Sequence, residues 1–296
     1  MCEETGKLEQ LVKAVVERGK ELLDAYNAGV DAKTKEDGTS LTEMDRKIGK
    51  QLKTNIEAVY GENQKFLVED AVEQGKKFQG NEWVIDPIDG TALFKDQVPT
   101  FGISVAKFAK KAESTTGKEQ SEIEPVIGIF YMPAMKGDGV LYEREDGETI
   151  EGPGHLYVAA SGKGAQFNGN KLCMPSIPRD PQKGWRDSYI AVSSDGHRYR
   201  FAFEGKIRAF GASAFHLALV SRGLLVGAFF TRFKLWDIAA GAVIVKEAGG
   251  DLCSLKTGGP IDFADHDQGR LPSGVLAAHK DAMPGLLDCF VGSDSG

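Results

Sequence analysis

Two carboxylates stand three residues apart in the hexapeptide Asp86-Pro87-Ile88-Asp89-Gly90-Thr91, which directly follows the apolar run 83–85. Pro87 fixes its own backbone dihedral and lacks an N–H donor, whereas Gly90 is free to take an unusual backbone angle. Such a turn at a strand end can hold hard divalent cations on its carboxylates and offer backbone N–H groups to an anion. Metal, phosphate and water in one place are what the hydrolysis of a phosphate ester requires.

The hexapeptide has other interpretations when it is taken alone. Asp, Pro and Gly are also the commonest turn residues, so the segment also fits a solvated loop. The order Asp-x-Asp-Gly-Thr would be the nucleophile loop of phosphatases of the haloacid dehalogenase type, in which the first Asp is phosphorylated. Pro87 occupies the position of that nucleophile, and we therefore reject covalent aspartyl chemistry.

Acidic residues recur at three further places, each beside a predicted element. Asp45 falls in the first turn of a helix that Thr42 is predicted to cap, where acids are common because of the helix dipole alone. Glu69-Asp70 follows a short apolar strand, a position that is often functional but is also an ordinary loop position. Asp237 is predicted to cap a helix whose small residues permit close packing, and plain capping would explain it equally well.

Hydrophobic periodicity predicts the elements that must position these residues. Helical spacing predicts an amphipathic helix over 7–28 and a second helix from Thr42 to about Gly61. Strands are predicted at 66–68, 83–85, 101–108, 125–132, 140–142, 156–159, 189–192, 224–230 and 275–278, with further helices at 213–222, 237–248 and 281–290. The charged stretch 110–124 is predicted to be an exposed hairpin loop, and 167–170 a hairpin turn. The whole pattern predicts an α/β fold of layered sheets and helices.

Composition limits the class of protein. The 296 residues, 41% of them hydrophobic, suffice for a single domain over 1–296 with two intimate halves, approximately 1–185 and 186–291. The net charge of −7 argues against a nucleic-acid polymer or a membrane surface as partner. Four widely separated cysteines predict free thiols in a reducing compartment. Without a signal peptide or a long apolar run, we expect a cytoplasmic protein with no transmembrane helix.

Four ordered segments together resemble the inositol monophosphatase family. The family's motifs are Thr-x-x-Asp, an acidic pair after a strand, Asp-Pro-Ile-Asp-Gly-Thr and Trp-Asp-x-Ala-Ala-Gly. This chain carries them at 42–45, 69–70, 86–91 and 236–241, at similar separations. The resemblance runs from the first helix to about residue 280. It implies a single layered unit of alternating helices and two mixed sheets, as in fructose-1,6-bisphosphatase, and a homodimer or homotetramer.

The resemblance also implies a metal site with two to three Mg²⁺ ions. Glu69, Asp86 and the backbone carbonyl of Ile88 match the ligands of the first ion. Asp86, Asp89 and Asp237 match those of the second, and Glu69 would help to hold a weaker third ion through water. The physical chemistry agrees, because crowded carboxylates repel one another and hard oxygen ligands suit Mg²⁺.

The resemblance also implies which residues would act on the attacking water and which would bind the substrate. Thr91 and Asp45 match the pair that orients and deprotonates the attacking water, and Glu69 is counted with them as catalytic. The N–H groups of Gly90 and Thr91 would hold the phosphate at a helix start. The full substrate-binding set that we expect is Asp89, Gly90, Thr91, Gly211, Ala212, Ser213, Arg232, Lys234 and Asp237. The five histidines match no part of the motifs.

The departures from the family concern the substrate. Members specific for inositol phosphate carry a Glu at the position of Phe230, and Asp70 stands where Glu is usual. Arg232 and Lys234 could pair with a second anionic group or could simply face solvent. We therefore expect a Mg²⁺-dependent, Li⁺-sensitive phosphomonoesterase of the inositol monophosphate class. The alternatives are activity on fructose-1,6-bisphosphate or on a 3′(2′),5′-bisphosphate nucleotide, and more remotely an inactive protein that binds metal or phosphate.

Overall fold

A computed structural model describes residues 2–29, 32–34, 40–69, 78–110, 123–176, 183–266 and 268–293. Up to residue 172 its elements are α1 (Cys2–Ala28), β1 (Ala32–Thr34), β2 (Ser40–Thr42), α2 (Glu43–Tyr60), β3 (Phe66–Val68), β4 (Trp83–Asp89), α3 (Thr91–Lys95), β5 (Gly102–Lys110), β6 (Ile123–Met132), β7 (Asp138–Glu143), β8 (Thr149–Pro153), β9 (His155–Ala160), β10 (Gly164–Phe167) and β11 (Asn170–Leu172). The remaining elements are β12 (Tyr189–Val192), β13 (Tyr199–Phe201), β14 (Lys206–Arg208), α4 (Ser213–Ser221), β15 (Gly227–Phe230), α5 (Leu235–Glu247), β16 (Gly250–Ser254), β17 (Val275–His279), α6 (Met283–Leu287) and β18 (Phe290–Ser293).

The larger sheet has seven strands in the order β11-β10-β9-β6-β5-β4-β3. Its neighbours pair antiparallel, except that β3 runs parallel to β4. The apolar stripes of α1 and α2, including Leu11, Val12, Ile48 and Leu52, pack on one face of this sheet. Helix α5 packs on the opposite face. Every residue of β4 is buried as a result, since both of its faces are covered.

The smaller sheet has five strands in the order β14-β12-β15-β17-β16. Strand β12 runs parallel to β14 and β15, while β17 runs antiparallel to its neighbours. Helices α4 and α5 lie between the two sheets, and α6 covers the far face of the smaller one. Almost all of α5 is buried because sheets contact it from both sides. The layers therefore alternate helix, sheet, helix, sheet, helix, and no helix in the described ranges is long and apolar enough to cross a membrane.

Most predicted elements are confirmed at nearly their predicted bounds. Helix α2 begins immediately after Thr42, and α4 begins at Ser213 as predicted. The hairpin turn is also confirmed, with positive φ angles of 45° at Asn168 and 72° at Gly169. The predicted exposed loop lies outside the described residues over 111–122.

Three sequence predictions about elements are corrected by the structure, which also contains strands that were not predicted. Asp237 is not an N-cap, because α5 begins two residues earlier and Lys234 holds the cap position. The last helix spans only Met283–Leu287, and the chain then forms β18, which pairs with β13. Strand 224–230 shortens to Gly227–Phe230. Strand β8 was not predicted, because the hydrophobic run at Thr149–Pro153 is interrupted by Glu and Gly.

Gly128 provides a test of the packing between α5 and the larger sheet. A Cβ atom built there would clash with the carbonyl oxygen of Ala240 and would lie 3.1 Å from the Cβ of Val243. We expect Gly128→Ala to lower the free energy of unfolding by about 1–3 kcal/mol through overpacking. The matched control is Gly6→Ala in α1, where a Cβ meets nothing within 4 Å. That change should raise stability by about 0.5–1 kcal/mol. Urea unfolding measures both, and equal effects would contradict the described packing.

Candidate functional site

The site is built on the end of β4, which continues past the apolar run to Asp89. The side chains of Asp86 and Asp89 are only 2% and 3% exposed. Pairing with β5 shifts register between them, at a Pro87 that has no N–H to give to the ladder. Asp86 Oδ1 accepts a hydrogen bond from the Ile88 N–H at 3.0 Å, which closes the turn. Gly90 then takes a φ of 86° at the N-cap of the short helix α3.

Asp89 also caps a helix that is distant in the sequence. Its two carboxylate oxygens accept hydrogen bonds from the N–H groups of Ser213 at 2.9 Å and Ala214 at 3.0 Å, in the first turn of α4. The N-cap residue of α4 is Ala212, whose methyl group cannot accept these hydrogen bonds. Asp89 supplies the missing acceptor, and Gly211, Ala212 and Ser213 therefore lie beside the end of β4.

Asp237 reaches the same junction from the first turn of α5. Its Oδ2 accepts a hydrogen bond from the Lys234 N–H at 2.7 Å, while its own N–H donates to the Lys234 carbonyl at 3.1 Å. The hydroxyl of Ser104 on β5 donates to the Trp236 carbonyl at 3.4 Å and ties the start of this helix to the larger sheet. Asp237 is thereby held at the third helical position rather than at the cap.

Burial and neighbouring charges raise the pKa values of the three buried aspartates, Asp86, Asp89 and Asp237. Burial raises the pKa of Asp86 well above its ordinary value, and the charges of Glu69, Asp89, Asp237 and Asp45 raise it further. Burial likewise raises the pKa of Asp89, with Asp237 adding to the effect and the α4 N–H groups opposing it. For Asp237, burial raises the pKa to about 7, and the Lys234 N–H opposes the rise. Asp45, in the first turn of α2, is itself 2% exposed.

The donor set suits a hard cation. Its members are carboxylate oxygens and the carbonyl of Ile88, which accepts the Thr91 hydroxyl at 2.9 Å. Three or more His, Cys, Asp and Glu side chains do not form a closed ligand set among the described residues. Each aspartate instead turns an oxygen toward a backbone N–H, as mutually repelling carboxylates do when N–H donors are in reach. Glu69, Asp86, Asp89, Asp237 and the Ile88 carbonyl could hold divalent cations.

A cavity of about 200 Å³ lies beside the start of α4. Four members of the expected substrate-binding set line it, namely Gly211, Ala212, Ser213 and Arg232. Lys234 does not line it, and its ammonium group instead lies 5.3 Å from the ring centroid of Trp236.

Sequence reasoning missed four of the residues that line the cavity, Ser193, Ser194, Asp195 and His216. Asp195 follows the buried strand β12, the same signal that singled out Glu69, so it could have been found. His216 gave no such signal, because a helical histidine among apolar residues resembles core. Phe230 is fully buried against the rings of His216 and Phe233. Asp70 lies outside the described residues.

Known proteins resemble this chain over most of its length. The sequence model of the family described as "Inositol monophosphatase family" matches residues 6–288 of this chain. The fructose-1,6-bisphosphatase/inositol-1-monophosphatase of Thermotoga maritima is 29% identical over 211 residues, covering 71% of this chain and 69% of the relative. Human inositol monophosphatase 1 is 28% identical over 236 residues, covering 75% and 73%. The Nus factor SuhB of Pasteurella multocida is 25% identical over 296 residues, covering 94% and 96%.

Solved structures share the fold. The extragenic suppressor protein SuhB of Bartonella henselae superposes with a TM-score of 0.71 at 23% identity, covering 95% of this chain and 97% of the other. An IMPase/NADP phosphatase complexed with Mg²⁺ and phosphate gives a TM-score of 0.71 at 19% identity, covering 99% and 100%. At such identities the likeness establishes the layered fold.

The raised pKa values predict how Mg²⁺ stabilisation depends on pH. Without metal, the folded state of an acid with a raised pKa holds more protons than the unfolded state, so its contribution to stability falls as pH rises from about 4 to about 7. A cation favours the ionised form and offsets this loss. We expect Mg²⁺ to raise the melting temperature more at pH 8 than at pH 5.

The comparison of protein with Mg²⁺ and with EDTA cancels groups that are remote from the metal. His216 is not among the proposed metal ligands; burial lowers its pKa to about 4, so its contribution to stability rises with pH whether Mg²⁺ or EDTA is present. As a second check, metal-free Asp86→Asn should gain stability relative to the wild type as pH rises. A Mg²⁺ effect that is equal at both pH values would contradict the carboxylate assignment.

Proposed function

Because this chain belongs to the inositol monophosphatase family, we propose that it is a Mg²⁺-dependent phosphomonoesterase acting on a small phosphorylated metabolite. The observation that carries the proposal is the burial of Asp86 and Asp89 beside Asp237, where the charge of Asp237 raises the pKa of both and the charge of Asp89 raises the pKa of Asp86. Such an arrangement is costly without cations and is suited to holding them. The family match and the phosphatases among the relatives support the same reaction class.

The proposed roles follow the local geometry. Glu69, Asp86, Asp89, Asp237 and the Ile88 carbonyl hold two to three Mg²⁺ ions. When bound, Mg²⁺ supplies a more acidic water and neutralises charge on the leaving oxygen.

Residues beside the metal ligands activate the attacking water, and the turn after β4 binds the phosphate. Thr91 orients the attacking water, and Asp45, buried at the start of α2, takes its proton, with Glu69 assisting. The N–H groups of Gly90 and Thr91 bind the phosphate, because Gly90 turns the chain so that these donors begin α3.

The residues near the cavity bear on which phosphate ester the protein hydrolyses. We propose the inositol monophosphate class, with activity on a bisphosphate such as fructose-1,6-bisphosphate or a 3′(2′),5′-bisphosphate nucleotide as the second candidate. Arg232 favours the second candidate, because this exposed residue lines the cavity and has no acidic partner in the part of the chain that the structure describes. A purely regulatory, inactive role is the remote alternative. The SuhB relative makes it worth testing, while the intact set of acids argues against it.

The family resemblance and the composition support further proposals about domain organisation, oligomeric state, Li⁺ sensitivity and location. We propose one domain with intimate halves 1–185 and 186–291, a homodimer or homotetramer, Li⁺ sensitivity and a cytoplasmic location. The largest apolar core cluster supports the single domain, since it joins Phe130 of the first half to Leu217 of the second. Free thiols at Cys173, Cys253 and Cys289 fit a reducing compartment.

Phosphate release from a panel of inositol, sugar and nucleotide phosphates tests the reaction class. We expect activity that requires Mg²⁺, is blocked by Ca²⁺ because of its looser coordination shell, and is inhibited by Li⁺.

Asp89→Asn should abolish most turnover together with metal binding. Thr91→Ala should lower kcat while leaving Mg²⁺ binding largely intact, since only a hydroxyl is lost. Full activity after exhaustive chelation would refute the proposal, and loss of metal by both variants alike would refute the division of roles.

Arg232 and Lys234 give a test of substrate choice. Arg232→Ala should weaken kcat/KM for fructose-1,6-bisphosphate by about 1–3 kcal/mol more than for inositol 1-phosphate, if the guanidinium contacts the second phosphate directly. Lys234→Ala should discriminate less between the substrates, because Lys234 packs over Trp236 outside the cavity. Lys206→Ala, an exposed cation on the edge strand β14, is the control. Equal losses on both substrates from Arg232→Ala would remove the case for a bisphosphate.

A further inference from the structure

Residues 263–266 and 268–271, which we call the α5 strap, lie against the start of α5. Phe263 and Leu271 hold the strap in place, because their side chains are buried in the same apolar core as α5. The Gly269 carbonyl accepts a hydrogen bond from the Leu235 N–H at 2.6 Å. Leu235 is the first residue of α5, and its N–H has no acceptor within the helix. The strap therefore supplies an acceptor that α5 itself lacks.

A glycine allows the strap to approach α5 closely. Gly269 has a φ of 83°, and a Cβ atom built there would lie 2.6 Å from the ring of Trp236. The backbone of the strap consequently rests on the side chain of Trp236, the residue that precedes Asp237. The position of the strap thus affects the position of the first turn of α5, which carries Asp237.

His266 fixes the conformation of the strap. Its Nδ1 accepts a hydrogen bond from the Gly269 N–H at 3.1 Å. Just before Gly269, Gln268 takes a φ of 46°, an uncommon angle for a residue other than glycine. Such a conformation persists where surrounding contacts hold it, and the hydrogen bond to His266 is one of them. The N–H of Gly269 is thus bound to His266, while its carbonyl is bound to Leu235.

The ring of His266 is itself held from its other side. Its centroid lies 4.9 Å from that of Phe78 in an edge-to-face contact, and Phe78 makes a similar contact with Phe108 at 5.1 Å. The chain beside Phe78 is fixed by Glu82, a buried acid whose two oxygens accept backbone N–H groups of this segment at 2.8 and 2.9 Å. A well-anchored surface therefore orients the His266 ring toward the strap.

We propose that His266 is a positioning residue for Asp237 and thereby raises the affinity of the proposed metal site. His266 holds Gly269, Gly269 holds Leu235, and the helical turn that Leu235 begins carries the Asp237 carboxylate. This inference rests on the proposed function and names a residue outside all four family motifs. Loss of the His266 hydrogen bond leaves every proposed metal ligand in the chain but releases the turn that holds one of them.

Two substitutions separate the hydrogen bond of His266 from its ring contact. His266→Asn keeps an acceptor oxygen close to the position of Nδ1 but loses the ring. His266→Phe keeps a ring against Phe78 but loses the acceptor. His266→Ala loses both and is the smaller change, so it should follow His266→Phe in each measurement and replaces it if the bulkier variant does not fold.

The matched control is His279→Phe. The Nδ1 of His279 also accepts a backbone N–H at 3.1 Å, from Asp281. His279 lies at the end of β17 that pairs with Gly250, whereas the opposite end of β17 pairs with Phe230, on the side of Asp237. The control therefore removes the same kind of hydrogen bond at the far end of the smaller sheet.

Hydrogen exchange of the Leu235 amide in metal-free protein, followed by NMR, measures the positioning of α5 directly. We expect His266→Phe to speed this exchange by about 10-fold or more, because the strap no longer holds its acceptor in place. His266→Asn should stay within about threefold of the wild type, and His279→Phe should leave the Leu235 amide unchanged.

Binding of Mn²⁺, followed by the electron paramagnetic resonance of the free ion, measures the consequence for the metal site. We expect His266→Phe to raise the Kd for Mn²⁺ by about 10-fold, His266→Asn by less than about twofold and His279→Phe not at all. A wild type that binds no Mn²⁺ refutes the proposed function, and exchange at Leu235 then decides alone whether His266 positions α5.

Three results would overturn the inference. One is wild-type exchange at Leu235 in His266→Phe and His266→Ala, and another is wild-type Mn²⁺ affinity in both variants. The third is an equal loss in His266→Asn and His266→Phe, or in His279→Phe and His266→Phe, since the hydrogen bond to Gly269 would then not be the cause.

Discussion

The carboxylate of Asp89 joins the end of the larger sheet to the first turn of α4, and the site depends on this contact. A helix start whose cap residue is alanine leaves N–H groups unsatisfied, at a cost of about 1 kcal/mol. Asp89 satisfies two of them from 124 residues away in the sequence. The same contact draws Gly211, Ala212 and Ser213 to the carboxylates of β4. The cavity beside α4 and the candidate metal site are therefore adjacent, because the carboxylate of Asp89 belongs to the metal site and also caps α4.

A second constraint comes from α5, the helix between the sheets. Its run of small residues lets it lie close to β6, where Gly128 leaves room for the Ala240 carbonyl. Close packing brings Asp237 to the buried end of β4. The result is a set of buried acids that repel one another. Burial and this repulsion raise the pKa values of Asp86, Asp89 and Asp237. Backbone N–H groups offset part of this cost, and divalent cations would offset the rest.

Local signals made much of this predictable. Gly90, Pro87 and the paired aspartates mark a strand-end turn, and apolar periodicity places α1, α2 and α4 correctly. Sequence could not show that β4 continues to Asp89, because Asp and Pro are poor strand residues and only burial between helices keeps them there. Asp237 was misplaced as a cap for a related reason, since tertiary contacts start α5 earlier at Leu235. Lys234 and Arg232 are indistinguishable in sequence, and only packing over Trp236 separates them.

The central claim is that this junction of carboxylates is a divalent-cation site. The most direct measurement is anomalous X-ray diffraction from crystals grown with Mn²⁺ in place of Mg²⁺, together with phosphate. We expect anomalous peaks within bonding distance of Asp86, Asp89 and Asp237, with phosphate next to the N–H groups of Gly90 and Thr91. Well-ordered crystals at saturating Mn²⁺ that show no anomalous peak at these carboxylates would contradict it.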